Sequence, residues 1–214
     1  MIKAIIFDMD GVIIDSEPGH LELEQKLFTN LGLIITSKEH HSFVGTTTTD
    51  MWNVIKNKYK LSVPIEELVS NDRNSYFEYL QEQKDLQPIN GVVDLIKALH
   101  SKGFLLALAS SSPLRAIEFI LKTFRIYDYF SIITCGDEVK LGKPDPEIFL
   151  LSASKLSVKP NECIVIEDSY NGIKAAKMAG MSCIGYVNDN SENQDLSLAD
   201  KVISDYNEID LEHI

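Results

Sequence analysis

Ile2-Lys3-Ala4-Ile5-Ile6-Phe7-Asp8-Met9-Asp10-Gly11-Val12-Ile13-Ile14-Asp15-Ser16-Glu17-Pro18 is the stretch on which the reading of this chain turns. Ala4 to Phe7 is a short run rich in branched residues, the composition of a strand covered on both faces rather than one that alternates towards solvent. It stops at Asp8. In extended backbone, residues at i and i+2 point the same way, so Asp8 and Asp10 deliver two carboxylates to one spot. Gly11 then lets the chain turn sharply or lets a ligand approach its amides. Like charges gathered at the end of a buried strand call for a cation, and a hard metal ion is the simplest one. An Asp-x-Asp at this place also serves, in many chains, only to shape a turn.

Outward from this stretch, the pattern divides the chain. Glu17 to Leu31 carries apolar residues at helical spacing (Leu21, Leu23, Leu27, Phe28, Leu31), with Gly32 as a stop. Helical character continues through His40, and the Thr46-Thr47-Thr48-Thr49 run after Gly45 predicts a loop that caps a helix entering at Asp50-Met51-Trp52. Pro64-Ile65-Glu66 opens a further helix towards Glu82, with Ser62 as its expected cap. Between Ser16 and Leu86 no strand pattern occurs. From Ile89-Asn90-Gly91 onward strands and helices alternate. Strands are predicted at Phe104 to Ala109, Ser131 to Cys135, Cys163 to Ile166, Met181 to Val187 and Lys201 to Ile203. Helices are predicted at Val92 to His100, Pro113 to Phe124, Pro146 to Leu156 and Ser169 to Ala179.

That alternation predicts an α/β fold, a Rossmann-like parallel-sheet core joined by crossover helices. The opening strand belongs to that sheet, so the helical segment is an inserted small all-α cap domain. The expected division is a catalytic core of residues 1–15 and 88–214 and a cap of residues 16–87, linked near Ile14 to Pro18 and Asp85 to Asn90.

Composition narrows the function. The chain has 214 residues, 44% of them hydrophobic, enough for a packed interior. Lysine and arginine number 20 against 32 aspartates and glutamates, a net charge of −12 that disfavours nucleic acid and anionic membrane as partners. Cys135, Cys163 and Cys183 each sit in or beside an apolar run and show neither zinc spacing nor a Cys-x-x-Cys pair, the usage of a reduced cytoplasmic protein. No apolar run is long enough for a signal peptide core or a membrane span. Nothing in the residue pattern marks a partner subunit.

In an open parallel sheet, ligands bind beyond the carboxyl ends of the strands, and the polar clusters of this chain gather there. Asp8 and Asp10 follow the first strand. Ser110-Ser111-Ser112 follows the second, where a hydroxyl and amides at a helix start hold phosphate or merely cap the helix. Lys143 lies in Leu141-Gly142-Lys143-Pro144-Asp145-Pro146, where the prolines stiffen a lysine that would otherwise be solvated. Glu167-Asp168 precedes the helix from Ser169, which either residue could serve as a cap. Together these loops offer carboxylates, a hydroxyl and one fixed cation. An all-oxygen set selects a hard ion such as Mg²⁺, and the combination suits phosphoryl transfer.

The set Phe7-Asp8-Met9-Asp10-Gly11-Val12, Ala109-Ser110-Ser111, Gly142-Lys143-Pro144-Asp145-Pro146 and Ile166-Glu167-Asp168-Ser169 with Gly172 resembles the haloacid dehalogenase-like superfamily, in its phosphatase and β-phosphoglucomutase-like branch with a helical cap. The resemblance implies a Mg²⁺-dependent phosphatase of a small phosphorylated metabolite, a sugar phosphate foremost. It implies Asp8 as the nucleophile that forms an aspartyl-phosphate, Asp10 as acid and base, and Asp168 and Glu167 beside Asp8 and Asp10 as the metal site. It also implies Ser110, Ser111 and Gly11 at the phosphoryl group and Lys143 as its counter-charge. An acid at Asp10 sets the chain apart from the dehalogenases. The mutases carry an arginine shortly after the glycine matching Gly45, where this chain has threonines; Lys56 and Arg73 are the candidate substitutes. His20, Phe43, Thr46 to Thr49, Trp52 and Arg73 are the expected cap residues facing substrate. A mutase, or a regulator that binds a phosphometabolite without turnover, stand as alternatives.

Overall fold

The computed structural model describes residues 1–188 and 194–212. Six strands, β1 (Ala4–Phe7), β2 (Leu105–Ser110), β3 (Ile132–Cys135), β4 (Cys163–Glu167), β5 (Ser182–Tyr186) and β6 (Lys201–Ile203), form one sheet in the order β3-β2-β1-β4-β5-β6. Every pairing is parallel. The order runs one way from β1 to β3 and then resumes on the other side of β1 with β4, so the switch point lies where β1 meets β4. Phe7 stands opposite both Leu108 and Ile166 in the register, which brings the ends of β1, β2 and β4 level.

The reason β1 has no polar face is visible in its packing. Ile5 and Phe7 enter one apolar layer with α5 (Val92–Ser101) and α6 (Leu114–Thr123). Ala4 and Ile6 enter a second with α7 (Glu147–Lys155) and α8 (Tyr170–Met178). All four residues are at most 1% exposed.

Between β1 and α5 the chain forms α1 (Glu17–Asn30), α2 (Ser37–His41), α3 (Thr48–Tyr59) and α4 (Ile65–Glu82). Phe28, Ile35, Met51, Trp52, Ile55 and Leu68 make a separate apolar centre for these helices. The chain leaves and re-enters the sheet side by side: Ile14 bridges Pro88 in antiparallel sense, and Ile89 N–H donates to Ile13 O at 2.8 Å. Among the described residues, no helix is long and apolar enough to cross a membrane. All three cysteines are free and buried.

Element ends differ from the sequence reading in two instructive places. Ser62 does not cap α4; Pro64 occupies the N-cap position without a side-chain bond, its fixed φ setting the helix entry. Ser110 and Glu167 lie within the last residues of β2 and β4, not in the loops after them, because both pair with a neighbouring strand. The threonine run behaves as expected: Thr47 caps α3 and accepts from Asp50 N–H.

Candidate active site

Lys143 is the centre of the site. It is 2% exposed, and its Nζ donates to Asp8 Oδ1 at 2.6 Å, Glu167 Oε1 at 2.8 Å and Ala109 O at 3.4 Å. Its ammonium also lies 5.1 Å from the centre of the Phe149 ring, within cation–π reach. The loop that carries it is pinned from several sides. Glu147 accepts from Lys140 N–H and Leu141 N–H, Asp145 N–H donates to Gly142 O, and the Lys143–Pro144 peptide is cis. Burial opposes the charge on Lys143, yet the adjacent Asp8 and Glu167 hold its pKa above the ordinary lysine value.

Asp8 leaves β1 with its N–H bonded to Ile166 O at 3.0 Å, which ties it to the β4 edge of the switch point. One oxygen each from Asp8, Glu167 and Asp168 lies within 4.8 Å of the others, all three residues being buried. Burial pushes Asp8 up to about 8, Lys143 opposing and Glu167 and Asp10 adding to the rise. Three buried carboxylates thus gather at one point, two of them bonded to the single ammonium. A hard divalent ion fits this all-oxygen donor set and its excess negative charge. Glu167 is already engaged on both oxygens, by Lys143 and by the N–H and hydroxyl of Ser169. Its role towards a metal is therefore combined with that of aligning Lys143. The carboxylate of Asp10 lies outside this trio.

Asp10 is held instead by hydroxyls. Ser16 donates to Oδ1 at 2.7 Å, and Ser112 and Ser110 to Oδ2 at 2.8 and 3.3 Å. His20 Nε2 stands 3.8 Å from Oδ1, at ion-pair distance, with its ring stacked on Tyr76 at 3.7 Å. Burial disfavours the charge on Asp10, but the adjacent His20 and the Ser16 and Ser112 hydroxyls hold its carboxyl below the usual range. His20 is pushed up to about 9, its burial outweighed by Asp10, with Glu24 and Asp72 assisting. A proton therefore waits on His20 beside an ionised Asp10.

Glycines set the closeness of these groups. Gly11 has φ +79°, and a Cβ there would lie 1.9 Å from Asp168 Oδ2. At Gly172, in the first turn of α8, a Cβ would meet Glu167 Oε1 at 1.6 Å.

The helices between β1 and α5 close over this floor. Ser111 Oγ donates to Gly45 O at 2.8 Å, Asn171 Nδ2 to Val44 O at 2.8 Å, and Gly142 N–H to Asp50 Oδ2 at 3.1 Å. The cavity between them has Asp8, Asp10, Ser111, Ser112 and Asp168 on the sheet side and Glu17, His20, Glu24 and His40 with Phe43 to Thr48 on the other.

The eight residues singled out by sequence thus come together, although Ser111 spends its hydroxyl on the Gly45 carbonyl and Ser110 spends its own on Asp10. Of the expected cap residues, His20, Phe43, Thr46, Thr47 and Thr48 line the cavity; Thr49, Trp52 and Arg73 do not. Trp52 is fully buried and donates to Asp72 at 2.7 Å, because it follows Met51 by a helical step of about 100° that turns it into the apolar centre. Arg73 pairs with Asp137 at 2.8 Å. Sequence reasoning missed Ser16 and Ser112 around Asp10, and it missed Glu17, Leu21 and Glu24, which share a face of α1 with the expected His20; their i, i+3, i+4, i+7 spacing with it was the signal that could have found them.

The pattern described as haloacid dehalogenase-like hydrolase matches residues 5–186. The chain is 33% identical over 186 residues to the phosphorylated carbohydrates phosphatase of Thermotoga maritima, covering 86% of this chain and 84% of that one. It is 33% identical over 188 residues to hexitol phosphatase B of Escherichia coli K12, covering 86% and 82%. Among solved structures, β-phosphoglucomutase from Clostridium difficile superposes with a TM-score of 0.86 at 31% identity, covering 99% of this chain and 95% of that one.

Proposed function

The chain belongs to the haloacid dehalogenase-like hydrolases, and from that premise we propose that it is a Mg²⁺-dependent phosphatase acting on a small phosphorylated carbohydrate through an aspartyl-phosphate on Asp8. The observation that carries this reading is the Asp8–Lys143–Glu167 ion cluster beside Asp168, at the sheet's switch point, with a second carboxylate, Asp10, wired separately to hydroxyls and a histidine. The names of the two phosphatase relatives support the carbohydrate. Two carboxylates in contrasting environments suit contrasting tasks. Residues 16–87 would act as the cap and the remainder as the catalytic core, working in the cytoplasm.

In the proposed reaction the Asp8 carboxylate attacks phosphorus, the ester P–O bond breaks, and the departing alcohol oxygen takes the proton that His20 passes to it through Asp10. Asp10 is then poised to remove a proton from the water that attacks the phosphoryl group, which releases phosphate and restores Asp8. Lys143 holds Asp8 in place and offsets charge on the phosphoryl oxygens, while Ser111 and the Gly11 loop border them. His20 supplies the resting proton reservoir. A Mg²⁺ held by Asp8, Asp168 and Glu167 would supply charge neutralisation of the phosphoryl group. The cap excludes bulk water from the aspartyl-phosphate.

The likeness to a β-phosphoglucomutase favours the mutase as second reading. Against it, Lys56 donates to Leu61 O at 2.9 Å and also to Val63 O, and Arg73 pairs with Asp137, so both candidate substitutes for a distal-phosphate arginine are committed elsewhere. Purified protein with Mg²⁺ should release phosphate from an aryl phosphate and from hexitol or hexose phosphates. Conversion of β-glucose 1-phosphate to glucose 6-phosphate, primed by the bisphosphate and outpacing phosphate release, would instead establish the mutase.

A further inference from the structure

The wall of the cavity opposite Asp8 carries charge of an unexpected sign for a pocket that receives a phosphate. Its α1 face presents Glu17, His20, Leu21 and Glu24 along one stripe. His20 is engaged with Asp10. His40, only 7% exposed at its side chain, is paired through Nε2 with Glu24 Oε2 and set edge-on against Phe28. That contact fixes the Glu24 carboxylate, and no hydrogen bond from the described residues reaches its Oε1. No lysine or arginine is among the described residues that line the cavity. The threonines at 46–48 add hydroxyls but no cation.

Within the phosphatase reading, on which this step rests, we infer that Glu24, oriented by His40 and joined by Glu17, sets specificity by charge: the enzyme takes a monophosphate whose far end is neutral and hydroxyl-rich and rejects one whose far end is anionic. A fixed carboxylate accepts hydrogen bonds from hydroxyls, and charge-assisted bonds of this kind are stronger than neutral ones. The same carboxylate, 14% exposed at its side chain, repels a carboxylate or second phosphate brought close to it. The phosphate end is served by Lys143 behind Asp8; on the opposite wall no lysine or arginine stands among the described residues, and the protonated His20 is already paired with Asp10. A sugar alcohol phosphate meets both requirements, whereas a sugar acid phosphate or a bisphosphate meets only the first.

The test uses matched pairs that differ only in replacing a terminal CH₂OH with a carboxylate: sorbitol 6-phosphate against 6-phosphogluconate, and glycerol 3-phosphate against 3-phosphoglycerate. The wild-type enzyme with Mg²⁺ should favour the neutral member of each pair by about 100-fold in kcat/KM, the scale of a like-charge contact in a desolvated site. Glu24→Gln, checked for folding by circular dichroism, should narrow that ratio by about tenfold. Equal turnover of the paired compounds would overturn the charge filter and leave the phosphatase reading standing. Hydrolysis of an aryl phosphate with neither polyol phosphate accepted would overturn it as well. A folded Glu24→Gln enzyme with an unchanged ratio would remove Glu24 from the role. Silence towards every phosphate monoester is the separate result that would sink the phosphatase reading itself.

Discussion

A lysine 2% exposed is tolerated only because two carboxylates reach it at 2.6 and 2.8 Å, and removing one partner of such a cluster strands the others in a poor dielectric. Lys143→Met should therefore cost about 3–5 kcal/mol of stability in urea unfolding and abolish turnover together. Retention of either stability or activity would show that the Asp8 and Glu167 charges are balanced by something else. At this scale the sequence was informative where chemistry demands a residue type at a strand end. Asp8, Asp10 and Asp168 stood out because a charged group at the end of a buried strand is costly unless something employs it, and Lys143 because Pro144 and Pro146 stiffen its loop. Ser112 was not, since three consecutive serines read alike; only the turn after β2 decides that Ser112, at 2.8 Å from Asp10, binds it more closely than Ser110 does at 3.3 Å. Ser16 was hidden for the same reason, being one hydroxyl in a linker.

Among the elements, the central strands β1 and β4 could be read because they are covered on both faces, and the helices because apolar residues recur at their period. The ends were less legible: a strand's last residue is set by its neighbour's register, which the sequence of either strand alone does not contain. The contacts that join the helical segment between β1 and α5 to the sheet side were invisible for a related reason, since they link residues far apart in sequence through backbone carbonyls. Asn171, in the first turn of α8, donates to Val44 O at 2.8 Å and Ser42 O at 3.3 Å. Asn171→Ala removes both bonds at a cost near ~1 kcal/mol, and KM for a sugar phosphate should rise about fivefold. An unchanged KM would show that Asn171 does not hold the closed state. Asp50 makes the same kind of link from the other side, accepting from Gly142 N–H beside Lys143, so closure and the placement of Lys143 are mechanically joined.

For the whole molecule, the excess of carboxylates has a consequence for stability. Asp72 is buried in α4 with Trp52 Nε1–H donating to it at 2.7 Å. Burial pushes it up to about 7, with Glu24 adding to the rise and the Trp52 bond opposing it. The folded protein then holds a proton that the unfolded chain releases near pH ~4, so this group's contribution declines as pH rises from about 4 through about 7. Asp72→Asn keeps an acceptor for Trp52 without the charge. It should match the wild type near pH ~4 and exceed it by about 2 kcal/mol at pH ~8; parallel stability curves across that range would refute the burial argument. Chelation should likewise silence the enzyme, and added Mg²⁺ restore it, if the Asp8, Glu167 and Asp168 trio holds the ion; activity indifferent to chelator would count against that site.

The account rests most heavily on Asp8 as the atom donor to phosphorus. Acid quenching during turnover of sorbitol 6-phosphate with Mg²⁺, followed by peptide mass mapping, should find one phosphoryl group on the peptide that carries Asp8. The folded Asp8→Asn protein should show neither the label nor phosphate release. Turnover by Asp8→Asn, or a phosphoryl label on any other residue, would contradict it.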